Sequence, residues 1–259
     1  MGRYSLFQMS RRKRDSLITG HLFYVEQARE RLLNQFDVLE QTENAEAFVR
    51  QWMDENAHRF NPDLHDGSEF YEEACNCYQS LLNLGRQTRL SVVAGMYHEW
   101  EKSLRQWLTG ETRHWHWGRA LPEVVWKANF GEVMNLLEAL GWKVRERAYF
   151  PRLDACRLVV NVYKHGNGSS FNELKKKYPE YLPDPFARDH HPFLELDLLD
   201  HTYLTVSNDQ LQAFSDAIVA FWTDAPGDIW DESIVFPEWF VNAWNKDQEA
   251  ERQQGENSS

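Results

Sequence analysis

The sequence predicts a mostly α protein, a helical bundle with a small irregular or short-strand insertion near 179–206. Three observations lead there. Apolar residues recur at steps of three and four along most of the chain. Strand-like alternation is confined to a weak stretch over 194–206. The regular strand–helix alternation of a doubly wound sheet is absent. At 259 residues and 42% hydrophobic content, with 11 Trp, 10 Tyr and 15 Phe, the chain can bury a sizeable aromatic core.

The elements follow in order. Residues 1–15 form a basic, flexible lead carrying Arg11, Arg12, Lys13 and Arg14. Ile18, Leu22, Val25, Leu32, Phe36 and Leu39 share one face of a helix over 16–41. Thr42 is placed to cap a second helix that ends before Asn61-Pro62. After a polar loop over 61–68, Phe70, Ala74, Cys77, Leu81 and Leu84 mark a helix that Gly85 breaks or kinks. Leu90, Val93, Tyr97, Trp100, Leu104 and Trp107 define the clearest helix in the chain. A His- and Trp-rich loop over 109–119 leads into a helix from Leu121 to Leu140, closed by Gly141. Pro151 opens the next helix, which ends at His165-Gly166. Ser170 and Glu173 have capping-box spacing for a short basic helix to Tyr178. A proline-rich crossing over 179–192 follows. Ser207 and Gln210 repeat the capping spacing for a helix to Trp222. The bundle domain is therefore expected over 16–222, with an aromatic extension over 223–247 that packs back and a disordered tail over 248–259. Phe236, Trp239, Phe240 and Trp244 give that extension a short amphipathic helix opened by Pro237.

Charge and cysteine content narrow the function classes. Lys and Arg number 28 against 40 Asp and Glu, a net charge of −12, so a passive nucleic-acid binder is excluded and any such role needs a local basic patch. Cys75, Cys77 and Cys156 are too few and too irregular for a disulfide framework and point to a reducing, cytoplasmic compartment. No apolar run has the length of a signal peptide or a membrane span, so no membrane role is expected.

The helix over 153–165 carries the chemistry. On a helical wheel Asp154, Arg157, Asn161, Lys164 and His165 fall within an arc of roughly 100°. Apolar residues flank that stripe on both sides: Leu153, Cys156, Leu158, Val159, Val160 and Val162. A narrow polar stripe of this kind belongs to a largely buried helix whose stripe faces a cleft or an interface. A homodimer pairing this helix with its twofold mate is one way to cover the flanks. A purely structural account is also open: Lys164 and His165 suit the negative helix end, Gly166 closes the helix, and Asp154 pairs with Arg157 three residues on.

Arg157-Leu-Val-Val-Asn161-Val-Tyr-Lys164-His165-Gly166 resembles the signature helix of the HEPN superfamily. Those all-α proteins are often metal-independent ribonucleases of toxin–antitoxin, antiphage and RNA-processing systems. Asn161 and His165 match the Asn-x-x-x-His half of their motif. Val160 stands where the family's usual Arg stands, and Arg157 is the Arg available. The resemblance implies a metal-independent RNA endonuclease, a toxin or antiphage effector, using no cofactor. His165 would transfer protons, Arg157 and Lys164 would stabilise phosphate charge, and Asn161 would position the scissile group. Arg157 lies eight residues before His165, a rise of about 12 Å, too far for one tight site on a single helix. The homodimer typical of the family would close that gap. The alternative is a catalytically inactive HEPN-like binding or regulatory protein, which the displaced Arg favours. Expected partners are RNA, a second copy of the chain and an antitoxin or regulatory protein.

Three further features complete the reading. Residues 152–177 hold Arg152, Arg157, Lys164, Lys175, Lys176 and Lys177 against Asp154 and Glu173, and the lysine run Lys175–Lys177 is the candidate RNA-binding patch. Glu99 and Glu101, on the strongest helix, are candidates to support Arg157. His114-Trp115-His116-Trp117 lacks a further metal ligand at a recognisable spacing, with His190, His191 and Asp189 the nearest candidates, so no metal site is expected.

Overall fold

The structure, a computed structural model, describes residues 5–37, 45–61, 66–183, 198–230 and 234–256. Helices dominate, as the periodicity predicts: α1 (Arg11–Ala28), α2 (Asn34–Asp37), α3 (Ala45–Glu55), α4 (Gly67–Thr112), α5 (Ala120–Lys127), α6 (Phe130–Ala139), α7 (Phe150–His165), α8 (Ser169–Lys177), α9 (Asn208–Asp224) and α10 (Glu238–Glu256). Strands β1 (Ser5–Gln8) and β2 (Asp228–Trp230) pair antiparallel, with Phe7 opposite Ile229 and Gln8 opposite Asp228. The described part of 179–206 is irregular, with short 3₁₀ turns at Pro179–Tyr181 and His201–Tyr203. Thr42, Asp189, His190 and His191 lie outside the described residues.

By its contacts the chain divides into two compact units. Unit 1 takes residues 1–22, 96–157 and 212–259, and unit 2 takes 23–95 and 158–211. Helices α1, α4 and α7 each supply residues to both.

Unit 1 is built on aromatic residues. The Phe221 ring sits 4.6 Å from Trp142 and 5.1 Å edge-on from Trp100. Phe7 of β1 is fully buried against Trp107 and Trp115. Both indoles also donate to strand carbonyls, Trp107 to Gln8 at 3.0 Å and Trp115 to Leu6 at 2.8 Å. Within the segment expected as a mobile lead, residues 5–8 are thus held by a partner strand 220 residues away and by two tryptophans. Such pairing leaves no local sequence signal. The expected tail over 248–259 is helical as far as Glu256, as a continuation of α10.

Unit 1 also contains a half-buried histidine with a pH signature. Nε2 of His21 lies 2.9 Å from the Ser215 hydroxyl. Burial pushes the imidazole down from 6.5 to about 4, against the smaller opposing pull of Ser215 and Asp216. The unfolded chain therefore takes up this proton before the folded one, and stability falls as pH drops from about 6.5 towards about 4. A shift of that size has a ceiling of about 3 kcal/mol, and solvent access to the ring reduces it to on the order of 1 kcal/mol. Urea midpoints measured at pH 7 and pH 4.5 should differ less in His21→Gln than in the wild type. An unchanged pH dependence would remove His21 from the account.

The core of unit 2 includes α7 residues Leu158, Val159, Val160 and Val162 together with Val25, Leu33, Phe36, Leu90 and Val93, all buried. Gly85 does not break α4, which runs unbroken for 46 residues. Its role is close approach, since a Cβ there would stand 3.0–3.2 Å from the Phe36 ring. Gly95 is tighter still, because a Cβ would collide with the Tyr24 hydroxyl, which donates to the Val92 carbonyl at 3.2 Å. Alanine favours a helix by about 1 kcal/mol over glycine. Gly95→Ala should nonetheless lower stability, by about 1–3 kcal/mol from overpacking. A chemical denaturation curve showing a net gain would overturn that packing argument.

Two terminators behave as predicted. Gly141 and Gly166 both adopt the left-handed conformation, with φ of 84° and 68°. The expected 121–140 helix is two helices, because Asn129 and Glu132 form a full capping box that starts α6. The Ser207–Gln210 box forms, at 2.8 and 3.1 Å. The Ser170–Glu173 box does not, because α8 begins at Ser169 with Gly168 as its N-cap. Among the described residues no helix is long and apolar enough to cross a membrane.

Candidate functional site

Helix α7 starts at Phe150-Pro151 and stops where Gly166 turns left-handed. Between those points it is buried on its apolar faces by its own chain: Leu153, Ala155, Cys156, Leu158 and Val162 have no exposed surface. The apolar flanks that suggested a twofold interface are therefore covered within the protein. The polar stripe divides between the two units, with Asp154 and Arg157 in unit 1 and Asn161, Lys164 and His165 in unit 2.

In unit 1 the stripe is an ion pair. Arg157 donates to Asp154 Oδ1 through Nε at 3.0 Å and Nη2 at 2.7 Å. Its guanidinium also lies 5.2 Å from the centroid of the Phe130 ring. Asp154 is buried. Glu101 is paired to Arg105 at 2.7 Å and stands 3.9 Å from His98, while Glu99 is paired to Lys102. Asp154, on its own helix, is an acidic partner of Arg157. Glu101 and Arg157 both act on the Tyr97 hydroxyl, which is buried. Burial, then the Glu101 and Cys156 charges, push it well above the ordinary tyrosine range, with Arg157 and Arg105 opposing. Tyr97 therefore stays protonated. The Cys156 thiol is likewise pushed up by burial and is no nucleophile.

In unit 2 the stripe ends in an exposed polar cluster. Lys164 and His165 are exposed, and Asn161 is half-buried. Tyr163 is 2.7 Å from the Ser91 hydroxyl, which fixes the last turn of α7 against α4. The left-handed Gly166 turns the chain so that Asn167 meets His201. Asn167 Oδ1 accepts the His201 backbone N–H at 2.9 Å and lies 3.2 Å from His201 Nδ1. The His201 ring rests on Gly166, at 3.6 Å from where a Cβ would stand. Asp200 holds the turn by accepting from the Thr202 backbone at 2.8 Å and from the Thr202 hydroxyl. Those two bonds, with the nearby His201, keep the Asp200 carboxyl below its usual range. His201 is the residue that sequence reasoning missed. Its only local signal is the Asp-His-Thr turn, and nothing in the sequence ties it to His165.

The basic patch on α8 is partly committed. Lys177 pairs with Glu173 at 2.6 Å, Lys175 lies over the Phe171 ring at 5.5 Å, and Lys176 is exposed.

The loop His114-Trp115-His116-Trp117 serves unit 1. His116 is buried, with Nε2 at 2.8 Å from Asp247 Oδ2. Asp247 also accepts the backbone N–H groups of Ala120 at 2.8 Å and Leu121 at 2.9 Å, so a side chain of α10 caps the start of α5. Burial alone would raise the Asp247 carboxyl, but the three hydrogen bonds outweigh it and hold it below the usual range. Among the described residues no three His, Cys, Asp or Glu side chains converge as metal ligands. No family model, curated protein or solved structure matches the chain.

Proposed function

We propose that the chain is a metal-independent RNA endonuclease whose reacting groups sit at the end of α7 in unit 2. The observation that carries this reading is the seating of the His201 ring on Gly166, the residue after His165, with its tautomer set by Asn167. Because Asn167 Oδ1 can only accept, Nδ1 of His201 donates to it and Nε2 is the ring nitrogen left to accept a proton. His201 Nε2 takes the proton from a ribose 2′-hydroxyl as that oxygen attacks the adjacent phosphorus. His165 is the general acid, giving a proton to the departing 5′-oxygen. Lys164 stabilises the charge that develops on the phosphorane oxygens. The P–O5′ bond breaks as the 2′-O–P bond forms, giving a 2′,3′-cyclic phosphate with no co-reactant. Arg157 contributes position rather than charge in this scheme, since Asp154 already holds its guanidinium. The site needs only one chain, and a homodimer is not required to assemble it. The exposed Lys176 offers the RNA backbone a contact.

The engagement of Arg157 by Asp154 favours a second reading, a catalytically inactive HEPN-like protein that binds RNA or a regulatory partner. Incubation of purified protein with RNA in EDTA separates the two. The nuclease reading expects fragments ending in 2′,3′-cyclic phosphate or its hydrolysis product. The binding reading expects intact RNA and retained binding after His165→Ala.

A further inference from the structure

A second site lies in unit 1, where a cleft of about 480 Å³ opens beside the loop that follows α4. Arg113, His116, Trp117, Arg119, Pro122 and Glu123 line it. Trp117 is 86% exposed, the most exposed of the large hydrophobic side chains described, whereas Trp100, Trp107, Trp142 and Trp222 of the same unit are buried and Trp126 and Trp230 are only partly exposed. Arg113 and Arg119 are both exposed, one on each side of it in sequence. The one carboxylate in the cleft, Glu123, already faces Lys127 at 3.6 Å. The backbone beneath is pinned by hydrogen bonds from α10. Asp247 grips Ala120, Leu121 and His116, and it fits so closely that a Cβ at Gly118 would collide with it. Asp247 also occupies the free N–H groups of α5, so an anion entering the cleft would have to meet the arginines rather than the helix end.

An exposed indole between two arginines on a fixed loop matches one ligand chemistry: a flat π-system carrying negative charge. We propose that this cleft binds a nucleotide, its base stacked on Trp117 and its phosphate held by Arg113 and Arg119. The volume is in the range of small-ligand sites. In a chain of net charge −12, a cleft with two arginines as its ligand-facing charges selects anions locally against the long-range field. The source of the nucleotide is either a free nucleotide or a unit of single-stranded RNA. This assignment does not rest on cleavage at His165.

Both sources can be tested on the full-length His165→Ala protein, which keeps the cleft and cannot consume the probe by the proposed route. Calorimetry with ATP and fluorescence anisotropy with a 5′-labelled ten-residue oligoadenylate form the two arms. Binding in the ATP arm identifies a free nucleotide, and binding in the oligonucleotide arm alone identifies RNA. In whichever arm binds, Trp117→Ala should weaken affinity by about 5- to 150-fold, the range expected for loss of one stacked base. Arg113→Ala with Arg119→Ala should weaken it further and flatten its salt dependence. All three positions are exposed, so the melting temperature should not move. No binding of either probe, binding that Trp117→Ala leaves unchanged, or equal binding of polyglutamate would overturn the proposal.

Discussion

Replacing His165 or His201 by Ala is expected to lower RNA cleavage by at least about 100-fold, the loss typical of removing a general acid or base. Both side chains are exposed, so neither change removes core packing, and thermal unfolding should stay within about 0.5 kcal/mol of the wild type. His201 is the sharper test. The HEPN-like signature contains His165 and not His201, so a site confined to that signature would tolerate His201→Ala. Asn167→Ala should give a smaller loss with an altered pH–rate profile, because the imidazole keeps its place on Gly166 but loses the partner that sets its tautomer. If His165→Ala instead unfolds the protein, the residue acts as a helix terminator and the chemistry lies elsewhere.

The largest stability effect is expected at Asp247. One buried carboxylate satisfies His116 and two backbone N–H groups at the start of α5. Asp247→Ala leaves all three donors without it, and the loss should be about 3–5 kcal/mol, since each buried donor left without an acceptor costs about 1–3 kcal/mol. Asp247→Asn keeps an acceptor oxygen and should fall between that variant and the wild type. The same carboxyl sets an acid limit. Its folded value lies below the unfolded one, so its contribution is complete above about pH 4 and disappears as pH falls through the depressed value. That window lies below the one set by His21, and the two can be resolved in a single pH series of urea midpoints. A loss under about 1 kcal/mol in Asp247→Ala would mean that α10 is held by its aromatic face alone.

Local rules made much of the fold legible and none of the long-range polar contacts. The periodicity from Leu90 to Trp107 and the glycines that end α6 and α7 act within one or two turns, where sequence and structure are directly linked. Gly85 was misleading because glycine serves two purposes. It breaks helices for entropic reasons, and it admits a neighbouring ring where a Cβ would not fit, as Phe36 does here. The break between α5 and α6 was masked because apolar spacing continues across it, although Asn129-x-x-Glu132 carried the capping signal. Arg157 and Asp154 were readable as a pair because they lie three residues apart. By contrast, His116 meets Asp247 across 131 positions, and His201 reaches Asn167 across 34. Such contacts are set by how helices pack, not by any local pattern. The candidate site was therefore half visible: Lys164 and His165 from the stripe on α7, and the second imidazole only from the folded chain.

The most direct test of the account uses two oligonucleotides of one sequence, an RNA and its fully 2′-O-methylated counterpart, with purified protein in EDTA. The proposed chemistry makes the 2′-hydroxyl the nucleophile. The RNA should be cut to fragments whose mass shows a 2′,3′-cyclic phosphate or its hydrolysis product, and the methylated strand should stay intact. Cleavage of the methylated strand, or an RNA left whole at every enzyme concentration, would contradict it.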